Sequence, residues 1–199
     1  MVAGVPVNYS IEHVRDGRSF TTRHVEAKQN GASVCTMMAS FTADTEGYEY
    51  ELDVLGGFPN VDDYEDDVWE DDEGPWMGRT LGPTTPRANG TYDSTERHFI
   101  RVPTPLPDDP MLHAAVVAMI TDMTHAGSRP LKLEFPIDGI VSLDHAIWFH
   151  RPLRADEWIY YDMHSLLNAG GRGYLRGTLH GRDGRVAVSV AQEQLLRVV

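Results

Sequence analysis

The feature that most narrows how this chain folds is one stretch of helical periodicity, Asp109 to Gly127, set among segments that read as strands. Asp109 is a capping residue, and Pro110 suits a first helical turn, where its missing N–H is no loss. Leu112, Ala115, Val116, Met119, Ile120 and Met123 then recur at helical spacing and define one apolar face. Gly127 supplies a C-terminal stop. Strand-like runs occupy 140–149, 157–165, 171–180 and 185–197, and Asp183-Gly184 turns the last pair. One long helix packed on such an antiparallel meander is an α+β arrangement.

The N-terminal part carries the same strand signals with no helix before them. Asp16-Gly17 and Asn30-Gly31 mark two hairpin turns, so residues 7–43 read as three antiparallel strands. Cys35 falls among apolar neighbours there and reads as buried and inert. The middle of the chain differs. Asp62 to Glu73 holds nine acidic residues in twelve positions, and prolines punctuate the stretch from Pro75 to Pro107. The expectation is a solvated linker or insert over residues 51–95, between a partial N-terminal module (1–50) and a C-terminal module (96–199). A strand near His98–Val102 opens the second module.

Charge and cysteine content bound the functional classes. The formal net charge of −13 opposes binding to nucleic acid, and no local basic patch offsets it. No apolar run approaches the ~20 residues that span a bilayer, and the start lacks the basic and apolar regions of a secretory signal. The last residues, Arg197-Val198-Val199, are not a peroxisomal address of the Ser-Lys-Leu type. With Cys35 the sole cysteine, no internal disulfide forms, and the expected setting is cytoplasmic.

Three residues carry candidate chemistry. Asp122 lies on the border of the helix's apolar stripe, where a negative charge near the C-terminus opposes the macrodipole. It is either an exposed acid or a carboxylate turned towards the sheet. Gln192 continues the face of Val186, Val188 and Val190. A carboxamide there is either hydrogen-bonded or at a strand end emerging into solvent. Ser142 precedes Asp144-His145 in a strand and is unremarkable alone. His145 and His150 flank Trp148-Phe149, but no cysteine or spaced carboxylate completes a metal set, so packing or hydrogen bonding is the expectation. No Gly-x-Ser-x-Gly elbow is present.

Longer motifs add a family resemblance. Leu143-Asp144-His145-Ala146-Ile147-Trp148-Phe149-His150-Arg151-Pro152, then Arg154-Ala155-Asp156-Glu157-Trp158, resembles the acyl-CoA thioesterase II family. So do Gly170-Gly171-Arg172-Gly173, Asp183-Gly184-Arg185 and Ala191-Gln192-Glu193. The N-terminal Val14-Arg15-Asp16-Gly17-Arg18-Ser19-Phe20, Gln29-Asn30-Gly31 and Ala39-Ser40-Phe41 look like the same family's first module. The resemblance implies a double hot-dog, each module a long helix wrapped by an antiparallel sheet. It implies hydrolysis of fatty acyl-CoA, and because the sequence offers no metal-ligand cluster, no cofactor or metal is expected. It also implies a water-activating site of Asp, Ser or Thr, and Gln, which falls by motif on Asp122, Ser142 and Gln192. Against that pattern the first module is expected to be incomplete, because no strand and helix precede its meander. Its apolar face, with Val25, Val34, Met37 and Phe41, would then need a cover, so a homo-oligomer is expected. The rival readings are a non-catalytic paralogue or acyl-CoA-binding scaffold, and a hydratase. The hydratase motif places Asp and His about five residues apart, whereas His125 follows Asp122 by three.

Overall fold

Tight turns and strand-forming runs dominate what the chain builds, and the computed structural model describes residues 2–43, 45–52, 57–66, 76–81, 88, 95–123 and 137–198. The chain divides into two units, Met1–Tyr50 and Glu51–Val199. In the first, β1 (Asn8–Asp16), β2 (Phe20–Gln29) and β3 (Ala32–Thr42) form an antiparallel meander. Its second hairpin turns on Asn30 (φ 52°) and Gly31 (φ 81°). Both central residues are left-handed, the geometry that matches strand twist and that Asn-Gly tolerates best. The buried Gln29 side chain clasps the strands' lead-in, accepting from the Val2 amide at 2.7 Å and donating to the carbonyls of Val2 and Val5 at 2.8 and 2.9 Å. Within this unit Phe20, Val34, Met37, Met38 and Phe41 are exposed. Cys35 is exposed too, contrary to its apolar surroundings in sequence: the alternation of β3 does not give that strand a buried face.

The second unit is a six-stranded antiparallel sheet with α1 (Pro110–Met123) on one face. Its strands are β4 (Met77–Leu81), β5 (Thr95–Arg101), β6 (Ile137–Phe149), β7 (Ile159–Ala169), β8 (Arg172–His180) and β9 (Val186–Val198), in the order β4-β5-β7-β8-β9-β6. Asp109 caps the helix as its sequence suggests, Oδ1 accepting from the amides of Met111 and Leu112 at 2.9 and 3.4 Å. The expected stop at Gly127 lies outside the described residues.

The buried face of α1 differs from the expected one. His113, Val117, Ile120 and Thr121 are enclosed, whereas Ala115 and Met119 point outward. From Met111 to Ile120 nearly every residue is apolar, so periodicity alone does not fix which side meets the sheet. The sheet's own side chains decide it. Val117 and Ile120 pack with Ile100, Ile159, Tyr161, Met163, Leu175, Leu179, Val188 and Val190. Full burial of such aliphatic side chains is worth roughly 1.5–3 kcal/mol each, enough to override a face chosen by pattern.

The described parts of the segment 51–95, expected to be a linker or insert, contribute to this unit. β4 extends the sheet beyond β5. Phe58 packs edge-on against Tyr160 and Phe99, with ring centroids 5.4 and 6.3 Å away, on the sheet face opposite α1. The acidic residues Asp62 and Asp66 pair with Arg79 of β4.

The Arg-Ala-Asp motif anchors the start of the helix. Arg154 donates to both oxygens of Asp156, at 3.1 and 3.0 Å, and to Asp108 at 2.7 Å. Asp156 also accepts from the Leu106 amide at 2.9 Å, and with Arg154 this holds its carboxyl down at about 2. Between them the Ala155 amide donates to His113 Nδ1 at 3.1 Å. The loop before α1 is thus tied to the β6–β7 connection, which fixes the height at which the far end of the helix meets β6 and β9.

Candidate active site

The far end of the helix carries Asp122. Its Oδ1 accepts from Ser142 Oγ on β6 at 2.9 Å and from Gln192 Nε2 on β9 at 2.7 Å. Gln192 Nε2 also donates to Ser142 Oγ at 2.8 Å, so the three side chains close a triangle from three elements. All three candidates from the sequence therefore meet.

Strand register explains how. β6 and β9 run antiparallel, and His145 lies opposite Gln192. Paired residues in a sheet share a face, so both side chains point towards the helix. Ser142, three residues before His145, belongs by alternation on the opposite face. The register shifts between Ser142 and Asp144, however, so that Ser142 pairs with Gln194, which shares Gln192's face. This β-bulge at Leu143 turns the serine hydroxyl inward. The Asp144 carboxylate steadies it by accepting from the Glu193 amide at 2.9 Å. No simple count along the sequence finds this; Asp144, a turn-type residue in mid-strand, is the only hint.

Gln192 does not emerge into solvent. It is fully buried, beyond the buried Val188 and Val190, and opposite Leu175 on its other side. The orientation of its carboxamide follows from chemistry: a carboxylate only accepts, so the nitrogen faces Asp122. Its oxygen, Oε1, is left buried with no hydrogen-bond partner among the described residues. Such an atom costs stability unless something else donates to it.

Two further polar groups border the triangle. His145 is half-buried, and its Nε2 is enclosed without a partner among the described residues. Burial lowers its pKa, against the opposing pull of Asp122 first and then Asp144. Tyr161 on β7 is fully buried, edge-on to His98 at 5.2 Å. Burial above all, with Glu96 and Asp122 adding, raises its pKa and keeps the phenol protonated. A Cβ on Gly177 would stand 2.7 Å from the Tyr161 ring, so the glycine makes room for that ring across β8.

The rest of the long motif has structural work. His150 Nε2 and Ser189 Oγ lie 2.9 Å apart, and Arg151 bridges Glu51 and the Val186 carbonyl. Among the described residues no three His, Cys, Asp or Glu side chains gather as a metal site. No helix among them is long and apolar enough to cross a membrane.

Comparison with known proteins places this geometry in context. Residues 72–195 match the family described as acyl-CoA thioesterase, and residues 1–42 match the acyl-CoA thioesterase N-terminal domain. The chain is 29% identical to acyl-coenzyme A thioesterase 8 of Mus musculus, over 98% of this chain and 68% of that protein. It is 27% identical to acyl-CoA thioesterase 2 of Haemophilus influenzae, over 96% of this chain and 74% of that protein. Among solved structures, an acyl-CoA thioesterase II from Mycobacterium marinum is 34% identical, with a TM-score of 0.81, over 96% of this chain and 73% of that one. A hot-dog protein from Alicyclobacillus acidocaldarius, 18% identical with a TM-score of 0.74, shares the fold over 95% of this chain and 72% of that one.

Proposed function

We propose that this chain, which belongs to the acyl-CoA thioesterase family, hydrolyses fatty acyl-CoA with water held and activated at Asp122, Ser142 and Gln192. The family makes it an acyl-CoA thioester hydrolase of the hot-dog fold. The assignment of the reaction to these three residues is our own. One observation carries it: a single oxygen of Asp122 on the helix receives hydrogen bonds from Ser142 and Gln192, brought from two strands.

A thioester carbonyl is already electrophilic, because sulfur overlaps poorly with it, so a positioned water attacks without a covalent enzyme intermediate. In this reading the water donates one hydrogen to the Asp122 carboxylate and the other to the buried Gln192 Oε1. Both partners accept only, which leaves a water lone pair for the carbonyl carbon. The C–O bond forms as Asp122 takes the proton, acting as general base. The tetrahedral intermediate then expels the CoA sulfur, the C–S bond breaks, and the proton passes from Asp122 to the leaving thiolate. The products are a free acid and CoA, and Asp122 is regenerated. Ser142 and Gln192 hold the carboxylate in place.

The test is thiol release from a series of acyl-CoAs by the purified protein with a chelator present. Release of one CoA per thioester cleaved, undiminished by chelation, is the expected result. Strict dependence on added metal, or no release at any chain length, contradicts the reading.

The same proposal includes self-association. The exposed Tyr9, Ile11, Met37 and Phe41, which share one face of the first sheet, form the type of apolar surface that recruits a partner once it passes several hundred Å². Light scattering at micromolar concentration is expected to give a multiple of 22.2 kDa. A monodisperse monomer rules that part out. The lone exposed Cys35 is in keeping with the reducing cytoplasm we infer as its setting.

A further inference from the structure

Counting donors at the site leaves one requirement unmet. Hydrolysis of a thioester puts negative charge on the former carbonyl oxygen, and that oxygen needs a hydrogen-bond donor. The triangle has none to spare. Ser142 spends its hydroxyl hydrogen on Asp122, and Gln192 spends its two amide hydrogens on Asp122 and Ser142. Asp122 and Gln192 Oε1 only accept. A donor must come from another side chain or from the backbone.

Two side chains bordering the triangle have a buried polar atom without a hydrogen-bond partner among the described residues, His145 at Nε2 and Tyr161 at its hydroxyl. They differ in reach. Tyr161 is fully buried in the middle of the sheet, its ring pressed between His98 and the backbone of Gly177. His145 is half-buried on β6, the edge strand, directly across from Gln192 and on the face to which the Leu143 bulge turns Ser142. Of the two, His145 is the less enclosed residue and the one on the same strand as the exposed Ser142.

We infer that His145 is the oxyanion donor, its Nε2–H hydrogen-bonding the thioester oxygen as the Asp122-activated water attacks. This rests on the water-activating role proposed for Asp122. It assigns a function to a histidine that the triangle itself leaves idle. A neutral imidazole carrying its hydrogen on Nε2 suffices, in keeping with the downward pull of burial on the ring's pKa. The neutral form also avoids an ion pair with Asp122, which would tie up the base.

The experiment compares His145→Ala, His145→Gln and Tyr161→Phe with the parent in steady-state CoA release, with circular dichroism to confirm folding. His145→Ala is expected to lower kcat by about 10²–10³-fold with KM within about threefold, the range for losing one oxyanion donor. His145→Gln, which restores an amide donor, is expected to recover about tenfold of that loss, and Tyr161→Phe to stay within a few-fold of the parent. A second measurement is independent of turnover: the affinity for two unreactive acyl-CoA analogues, one a ketone in which methylene replaces sulfur, the other the same chain lacking the oxygen. His145→Ala is expected to abolish the parent's preference for the ketone. An unaltered kcat with an unaltered ketone preference overturns the inference, and a loss confined to Tyr161→Phe gives the role to the phenol. If Asp122→Asn is inactive while His145→Ala is not, only this inference falls. If Asp122→Asn is fully active, the water-activating reading falls instead, and the ketone preference still decides whether His145 meets the carbonyl oxygen.

Discussion

Replacing Asp122 with Asn is expected to lower CoA release by about 10²–10⁴-fold, the range lost with a general base, while the protein stays folded. Asparagine keeps the shape, and its carboxamide oxygen still accepts from Ser142 and Gln192, so the triangle retains its acceptor. What it lacks is a site to receive the proton from water. Stability is expected to hold or rise slightly. Asp122 stands in the last turn of α1, where removing a negative charge relieves the helix dipole by about 0.3–1 kcal/mol. Activity collapsing while stability holds marks a residue kept for chemistry rather than for the fold. Steady-state thiol release and a thermal melt on the same preparation check both halves. A loss of less than about tenfold would rule Asp122 out as the base.

Replacing Gln192 with Met is expected to cost about 10²–10³-fold in kcat, through loss of the contacts that orient Asp122 and the water. The melting temperature is expected to stay within a few degrees of the parent or to rise. Gln192 is fully buried beyond Val188 and Val190, and its Oε1 has no partner among the described residues. An apolar side chain of similar length removes that unsatisfied oxygen and suits its surroundings, so the exchange is close to neutral for folding. Asp122 loses one donor but is only half-buried, and solvent replaces it. Combining this change with Asp122→Asn is expected to add little further loss, because residues that act as a unit are not additive. A kcat within threefold of the parent would show that the carboxamide is only a packing element.

How far the sequence foretold this structure depended on the kind of information each feature needs. Turns and caps are local, and Asn30-Gly31 and Asp109-Pro110 do what their chemistry requires. Gln192 was legible as a polar residue in phase with a valine face, because two-residue alternation is itself local. The buried side of α1 was not, since a helix apolar almost all round takes its orientation from the sheet. Nor was the packing of Phe58 and Tyr64 against Phe99 and Tyr160, in a segment read as a linker or insert from its prolines and the acidic run that starts at Asp62. The inward turn of Ser142 depends on a bulge between two strands some fifty residues apart in sequence, and pairing register is not written in either strand alone. Cys35 shows the converse, an apolar neighbourhood in sequence that packs against nothing that covers it within its own sheet.

The claim that water attacks the thioester directly, with Asp122 as base, is tested most directly by one turnover in ¹⁸O-labelled water with enzyme in excess over acyl-CoA. The quenched protein and the released acid are both read by mass. Direct attack requires one ¹⁸O in the acid, no label in the peptide that carries Asp122, and no acyl group on the protein at any time during the turnover. An acyl adduct on Ser142 or Asp122, or ¹⁸O in the Asp122 carboxylate, would contradict it, because either would make the side chain the nucleophile.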